Sequence, residues 1–184
     1  MMKLVSSVEK YGNSLFRVTE EHAVDPGGFE IKRAIVHHNG SAVMMAVDER
    51  ERILLVKQYR LPARQMLWEL PAGRMDEGET ALEAAKRELI EETGYRARKW
   101  DELAVFYPSP GFLAEKMTIY LATELTAGEA SPMEDERIET RWFEAEELGA
   151  QIDSGEIIDG KTMIGYLHWT RRFREGARVD RSTM

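Results

Sequence analysis

The 184-residue chain contains no cysteine. Disulfides, thiolate metal centres and cysteine nucleophiles are therefore excluded. It also lacks any run approaching the roughly 18 apolar residues of a membrane span. The N-terminal stretch MMKLVSSVEKYG has no apolar segment of the secretory kind, so a cytoplasmic protein is expected. Positive charge is in short supply: 25 Lys and Arg stand against 33 Asp and Glu, a formal net charge of −8. Without a basic face, neither nucleic acid nor an anionic membrane is an expected partner. The same deficit sets a condition. If the substrate is an anion, something positive must be recruited, and a metal ion is the obvious source. No internal repeat or low-complexity tract occurs.

What is present suits one domain with a real core and a small N-terminal extension. Hydrophobic residues make up 43% and charged residues 32%, an ordinary globular balance. Residues 1–40 alternate weakly between turn signals at Gly12-Asn13, Asp25-Pro26-Gly27-Gly28 and Asn39-Gly40, with short strands expected near Leu15–Val18 and Phe29–His37. Ala42–Val47 and Ile53–Tyr59 are apolar, β-branched runs separated by the charged turn Asp48-Glu49-Arg50-Glu51, and they read as a β-hairpin. Further strands are expected at Leu67–Leu70, Ala104–Tyr107, Lys116–Thr123 and Arg141–Phe143, and helices at Glu144–Asp153 and Lys161–Arg174. One helix lies between the strands, from about Thr80 to Thr93. Thr80 is its expected N-cap with Glu83 as capping-box partner, Leu82, Ala85 and Leu89 form its apolar stripe, and Gly94 closes it. This order predicts an α+β sandwich rather than a series of βαβ units. The expected divisions are an N-terminal β extension at 1–40, the main domain at 41–175 and a frayed tail at 176–184.

The helix and the loop before it read GRMDEGETALEAAKRELIEETGY, from residue 73 to residue 95. Carboxylates dominate it. Glu88, Glu91 and Glu92 stand at i, i+3 and i+4, so they share one face. Like charges at that spacing repel. A hard, oxygen-lined face of this kind suits Mg²⁺ or Mn²⁺, and a bound cation relieves the repulsion. Arg87 lies beside the three and can hold a carboxylate in place; Glu79 in the loop is a further ligand or partner. A solvated acidic face is the ordinary alternative.

The spacing decides between them. Gly73-x₅-Glu79-x₇-Arg87-Glu88-Leu89-x-Glu91-Glu92-x-Gly94 resembles the Nudix hydrolase box with every fixed position filled. Tyr95, where the family usually carries an aliphatic residue, departs in packing and not in chemistry. The resemblance implies a Nudix fold, a mixed β-sheet sandwich between helices with the box as loop–helix–loop. It also implies metal-dependent hydrolysis of a nucleoside diphosphate linked to another group. Carried onto this chain, it assigns Glu88, Glu91, Glu92 and the Ala72 carbonyl to the metals, and Arg87 to the metal and pyrophosphate site.

Features outside the box resemble the ADP-ribose pyrophosphatase branch of the family. They are His38-Asn39-Gly40-Ser41-Ala42-Val43, Val56-Lys57-Gln58-Tyr59-Arg60, Trp68-Glu69-Leu70-Pro71-Ala72-Gly73 and Ser109-Pro110-Gly111-Phe112. Pro110 follows the box at the spacing where that branch carries a marker proline. The resemblance runs from about Phe29 to Arg172. It implies that Arg60 grips the pyrophosphate with its planar fork, that Pro110 and Gly111 shape the substrate site, and that Glu115 contacts a ribose hydroxyl. It places the catalytic base on a loop after the later strands. Glu134 and Glu136 both match that position, and Glu139 is a weaker match. Glu91 is the box residue kept beside them as a catalytic candidate. Members of this branch are usually homodimers whose N-terminal strands reach across to the partner. ADP-ribose is thus the expected substrate. Another nucleotide sugar, such as ADP-glucose or GDP-mannose, is the nearest alternative, and a non-catalytic sensing domain a distant one. Isopentenyl diphosphate isomerase chemistry needs a cysteine that this chain does not have.

Overall fold

The structure, a computed structural model, describes residues 1–131 and 137–181, with side chains to residue 172. The described residues form ten strands and three helices. The strands are β1 (Lys3–Gly12), β2 (Arg17–Val24), β3 (Glu30–His37), β4 (Ser41–Ala46), β5 (Ile53–Arg60), β6 (Gln65–Glu69), β7 (Ala72–Arg74), β8 (Arg96–Phe106), β9 (Met117–Thr126) and β10 (Glu139–Phe143). The helices are α1 (Ala81–Thr93), α2 (Ala145–Ser154) and α3 (Gly160–Arg181). They build three sheets, ordered β1-β2-β3, β10-β5-β6 and β7-β4-β9-β8. The α+β expectation holds.

β4 is the centre of the molecule. Its sequence SAVMMA is buried at every position. Side chains alternate between faces along a strand, so the two faces of β4 serve two packing layers. Ala42, Met44 and Ala46 pack with Ala84, Ala85 and Leu89 of α1. Val43 and Met45 join Ile53, Leu55, Phe143, Leu148 and Trp169 on the other side. Each large apolar side chain so buried contributes about 1.5–3 kcal/mol relative to exposure. β4 runs antiparallel to β7 and parallel to β9, the one parallel pairing among the described strands.

The expected β4–β5 hairpin does not form as a ladder. The two strands are joined by a tight turn, in which the Asp48 carboxylate accepts the backbone N–H groups of Arg50 and Arg52, both at 2.9 Å. Beyond one bridge, Val47 with Ile53, they part into different sheets. The reason is burial on both sides. A strand covered on both faces and central in a sheet needs two ladder partners. β4 finds them in β7 and β9, and β5 in β6 and β10. β1 and most of β8 also lie outside the expected elements. β1 is exposed at every residue, so no core-facing alternation marks it in the sequence. α3 continues past Arg174 to Arg181.

The N-terminal sheet buries little of its own. It is tied to the main body through β3, where the Val36 N–H donates to the Phe112 carbonyl and the Ala114 N–H to the Val36 carbonyl, both at 2.8 Å. Trp169 is buried, while Trp68 and Trp142 are half-buried and meet Phe143 and Tyr95 edge-on. These three tryptophans therefore pack against the core. No helix is long and apolar enough to cross a membrane among the described residues.

Candidate active site

α1 begins as its sequence dictates. The Thr80 hydroxyl accepts the Glu83 N–H at 3.3 Å, and Glu83 Oε2 accepts the Thr80 N–H at 2.9 Å, a complete capping box. The helix ends at Gly94 in the left-handed region, φ 75°, where a Cβ would meet the Gly128 carbonyl at 2.6 Å. The buried stripe is Ala84, Ala85 and Leu89, with Leu82 half-buried. That orientation turns Glu88, Glu91 and Glu92 toward β7 and the loop before the helix.

Gly73 shows how closely the helix packs on β7. A Cβ there would lie 1.8 Å from Glu88 Cδ. Only a residue without a side chain lets the Glu88 carboxylate occupy this position. One residue earlier, the Ala72 N–H donates to Glu92 Oε2 at 3.2 Å. Glu92 is buried, 4% exposed. Two of the expected metal ligands thus touch the same short strand.

Arg87 is the hub of the carboxylates. Its Nε donates to Glu79 Oε1 at 3.0 Å and its Nη2 to Glu79 Oε2 at 2.9 Å, a two-pronged pair. Nη1 donates to Glu88 Oε1 at 2.6 Å and to Glu91 Oε2 at 3.0 Å, and Nη2 also reaches the Arg74 carbonyl at 3.1 Å. These contacts use all five N–H donors of a guanidinium. The Glu79 contact comes first in raising the Arg87 pKa, and it outweighs the opposing effect of burial; Glu88 and Glu91 add to it. The same contact holds the Glu79 carboxyl below the usual carboxylate range. Arg87 thus arranges the acidic face, with no donor left for a substrate in this geometry.

Four carboxylates, Glu79, Glu88, Glu91 and Glu92, surround this one guanidinium and the adjoining strand. Among the described residues no three acidic or imidazole groups converge on one cation position, because Glu88 and Glu91 turn to Arg87 and Glu92 to the Ala72 N–H. The donor chemistry nevertheless fits a hard divalent cation. Carboxylate oxygens and a neighbouring backbone carbonyl are what such ions prefer, and the carboxylates outnumber the positive charge they share.

Arg60 reaches the site from the end of β5. Its Nε donates to Glu69 Oε1 at 2.7 Å. Burial is the largest influence on the Arg60 pKa and lowers it. The Glu69 hydrogen bond and the charges of Glu69, Glu92 and Asp159 outweigh burial, and the pKa is raised overall. Glu92 and Arg60 are therefore electrostatic neighbours. Behind Arg60 lies a cluster that no sequence motif above marks. Glu69 Oε2 accepts Lys161 Nζ, and Lys161 also donates to Asp159 Oδ1 at 3.1 Å. Asp159 Oδ2 accepts the Thr162 N–H at 2.9 Å, capping α3, and the Thr162 hydroxyl accepts the Leu70 N–H at 2.8 Å. The Asp-x-x-Thr spacing is the available signal, since it reads as a helix N-cap.

Glu115 accepts the Ser41 hydroxyl at 2.5 Å and lies 3.6 Å from His38 Nδ1. Ser41 pairs with Arg74 across β4 and β7, so Glu115 flanks the same strand as the acidic face. Pro110 and Gly111 lie on an exposed turn closed by the Phe112 and Leu113 N–H groups on the Ser109 carbonyl. That turn is tied to β3, not to α1. Glu134 and Glu136 lie outside the described residues. Ser131 donates its N–H to the Glu91 carbonyl at 3.0 Å.

Comparison with known proteins bears on this arrangement. A NUDIX domain model matches residues 36–163. An ADP-ribose pyrophosphatase of Bacillus subtilis is 35% identical over 162 residues, covering 87% of this chain and 88% of the relative. An ADP-ribose pyrophosphatase of Mycobacterium tuberculosis is 34% identical, covering 89% and 80%. The crystal structure of an ADP compounds hydrolase superposes with a TM-score of 0.80 at 19% identity, over 96% of this chain and 95% of that one.

Proposed function

The chain belongs to the Nudix family, and from that premise we propose that it hydrolyses the pyrophosphate bond of ADP-ribose, giving AMP and ribose 5-phosphate. It is a Nudix pyrophosphohydrolase. The observation that carries the reading is the packing of Glu88 on Gly73 and of Glu92 on the Ala72 N–H, with Arg87 spanning the rest of the acidic face.

Water adds to one phosphorus, the bridging P–O bond breaks, and the proton of the water passes to a base. Glu88, Glu91, Glu92 and the Ala72 carbonyl would hold the divalent cation, Mg²⁺ or Mn²⁺. That ion would supply neutralisation of the diphosphate charge and acidification of bound water. Arg87 orients the carboxylates. Arg60, held through Nε alone, presents the rest of its guanidinium to the diphosphate. Glu115 receives a ribose hydroxyl, and Pro110 and Gly111 shape the edge of the substrate site. Glu134 or Glu136 accepts the proton of the attacking water, with Glu91 as the helix residue nearest that role.

The N-terminal sheet has its own reading. β1 is exposed throughout, with Leu4, Val5, Val8 and Tyr11 about half exposed. It is also the edge of its sheet, with one ladder unpaired. A second copy of this chain covers it, and light scattering reads a dimer; a monomer at micromolar concentration removes this part of the reading.

A substrate panel tests the main assignment. ADP-ribose, ADP-glucose, GDP-mannose, NADH, diadenosine polyphosphates and 8-oxo-dGTP are incubated with Mg²⁺, with Mn²⁺ and with EDTA. Metal-dependent release of AMP from ADP-ribose is expected, with kcat/KM at least about tenfold above the others. Preference for another nucleotide sugar keeps the chemistry and replaces the substrate. Binding without turnover replaces the enzyme by a sensing domain.

A further inference from the structure

Arg60 and Glu69 are an unusual pair for the open side of a phosphate site. Glu69 is 2% exposed, whereas the Arg60 side chain is 39% exposed. A guanidinium beside a free carboxylate settles as a two-pronged pair, two N–H groups on two oxygens. Here only Nε is engaged, on Oε1. Neither terminal nitrogen of Arg60 carries a hydrogen bond among the described residues. The second oxygen of Glu69 is taken by Lys161.

Lys161 is fixed for this task from three directions. It is 7% exposed, so its charge cannot escape to water. Asp159 holds its ammonium at 3.1 Å and caps α3 with the other carboxylate oxygen. Thr162 ties the start of α3 to the end of β6 through the Leu70 N–H. Two cations, Arg60 and Lys161, and two carboxylates, Glu69 and Asp159, then balance without a second bond from Arg60.

We propose that Lys161 is a positioning residue for the diphosphate site: by occupying the second oxygen of Glu69 it prevents Glu69 from capturing Arg60 in a two-pronged pair, and so keeps the outer edge of that guanidinium open to substrate. The proposal rests on the reading above that Arg60 grips the diphosphate. Without Lys161, Glu69 is a buried carboxylate with one partner, and Arg60 turns inward to satisfy it.

The test is a crystal structure and steady-state kinetics of Lys161→Met, Lys161→Arg and Lys161→Met in an Arg60→Gln background. Lys161→Met is expected to bring a second Arg60 nitrogen onto Glu69 and to raise KM for ADP-ribose about tenfold, with kcat changed less than about threefold. Lys161→Arg restores most of the KM. In the Arg60→Gln background, Lys161→Met adds no further increase, because the effect passes through Arg60. An unchanged KM in folded Lys161→Met, or equal increases in both backgrounds, overturns the proposal. Where Lys161→Met does not fold, Lys161→Met with Glu69→Gln removes the buried charge and is expected to return KM toward wild type; a KM equal to that of Arg60→Gln overturns it. The Arg60 geometry in the crystal is read without substrate. A retained single bond there sinks this inference, whereas wild-type enzyme inert toward ADP-ribose sinks the proposed function.

Discussion

Two arginines meet carboxylates in the same site and end in opposite states. Arg87, on α1, spends all five donors on Glu79, Glu88, Glu91 and the Arg74 carbonyl. Arg60, at the end of β5, spends one. The surroundings differ in the same sense. Around Arg87 carboxylates are in excess; around Arg60 a lysine brings the charges level. The lesson is that proximity of an arginine to a phosphate site does not define its role. The count of uncommitted donors does. A saturated guanidinium is scaffold, and an under-used one is available to a ligand.

Glu92 is an electrostatic neighbour of Arg60 and accepts the Ala72 N–H beside the acidic face, and its removal is expected to have the largest effect. Glu92→Gln keeps an oxygen to accept the Ala72 N–H, so the fold should survive. Turnover of ADP-ribose should fall at least about 100-fold, near 2.7 kcal/mol in activation free energy, with an unchanged circular dichroism spectrum. Wild-type-like activity would remove Glu92 from the site.

Replacing the two arginines sharpens the contrast. Arg87→Met leaves Glu79, Glu88 and Glu91 without their common cation. A stability loss of roughly 1–3 kcal/mol is expected, by urea denaturation, together with a fall in kcat. Arg60→Met should leave stability within about 1 kcal/mol, since its one ion pair is partly exposed, and should act on KM. Equal stability losses from the two would erase the distinction between them.

Much of this was legible in the sequence and part was not. The helix, its Thr80–Glu83 box and its acidic face follow from local spacing, because capping and helical periodicity act within one turn. The β4–β5 ladder was misplaced because both runs are continuously apolar. Such a pattern marks burial on both faces, and it does not say which strand lies alongside. β1 was missed because an exposed strand carries no core-facing signal, and β8 was shortened because its first half, residues 96–102, is largely charged. At the site, Glu88, Glu91 and Glu92 were readable from their spacing. The Glu69–Lys161 contact was not, since it joins residues 92 apart in the chain.

The smallest expected effect concerns pH. Glu79 is held below its ordinary value of 4.5 by Arg87. A carboxyl depressed in the folded state stabilises above its unfolded pKa, and that contribution fades as pH falls through the folded value. Glu79→Gln should therefore lower the urea midpoint at pH 7, and the gap from wild type should narrow steadily below about pH 4.5. A gap that stays constant into acid would show that Glu79 acts through packing alone.

The parallel pairing of β4 with β9 has a consequence in time. The two strands bracket the whole acidic segment in sequence, and α1 packs on residues of both, Ala42 and Met44 of β4 and Ala122 of β9. Closing so distant a contact is the slow part of folding, while a capped helix forms in about a microsecond. During refolding, helical signal should therefore return early and hydrolysis late, with the site completed only when the central sheet has zipped.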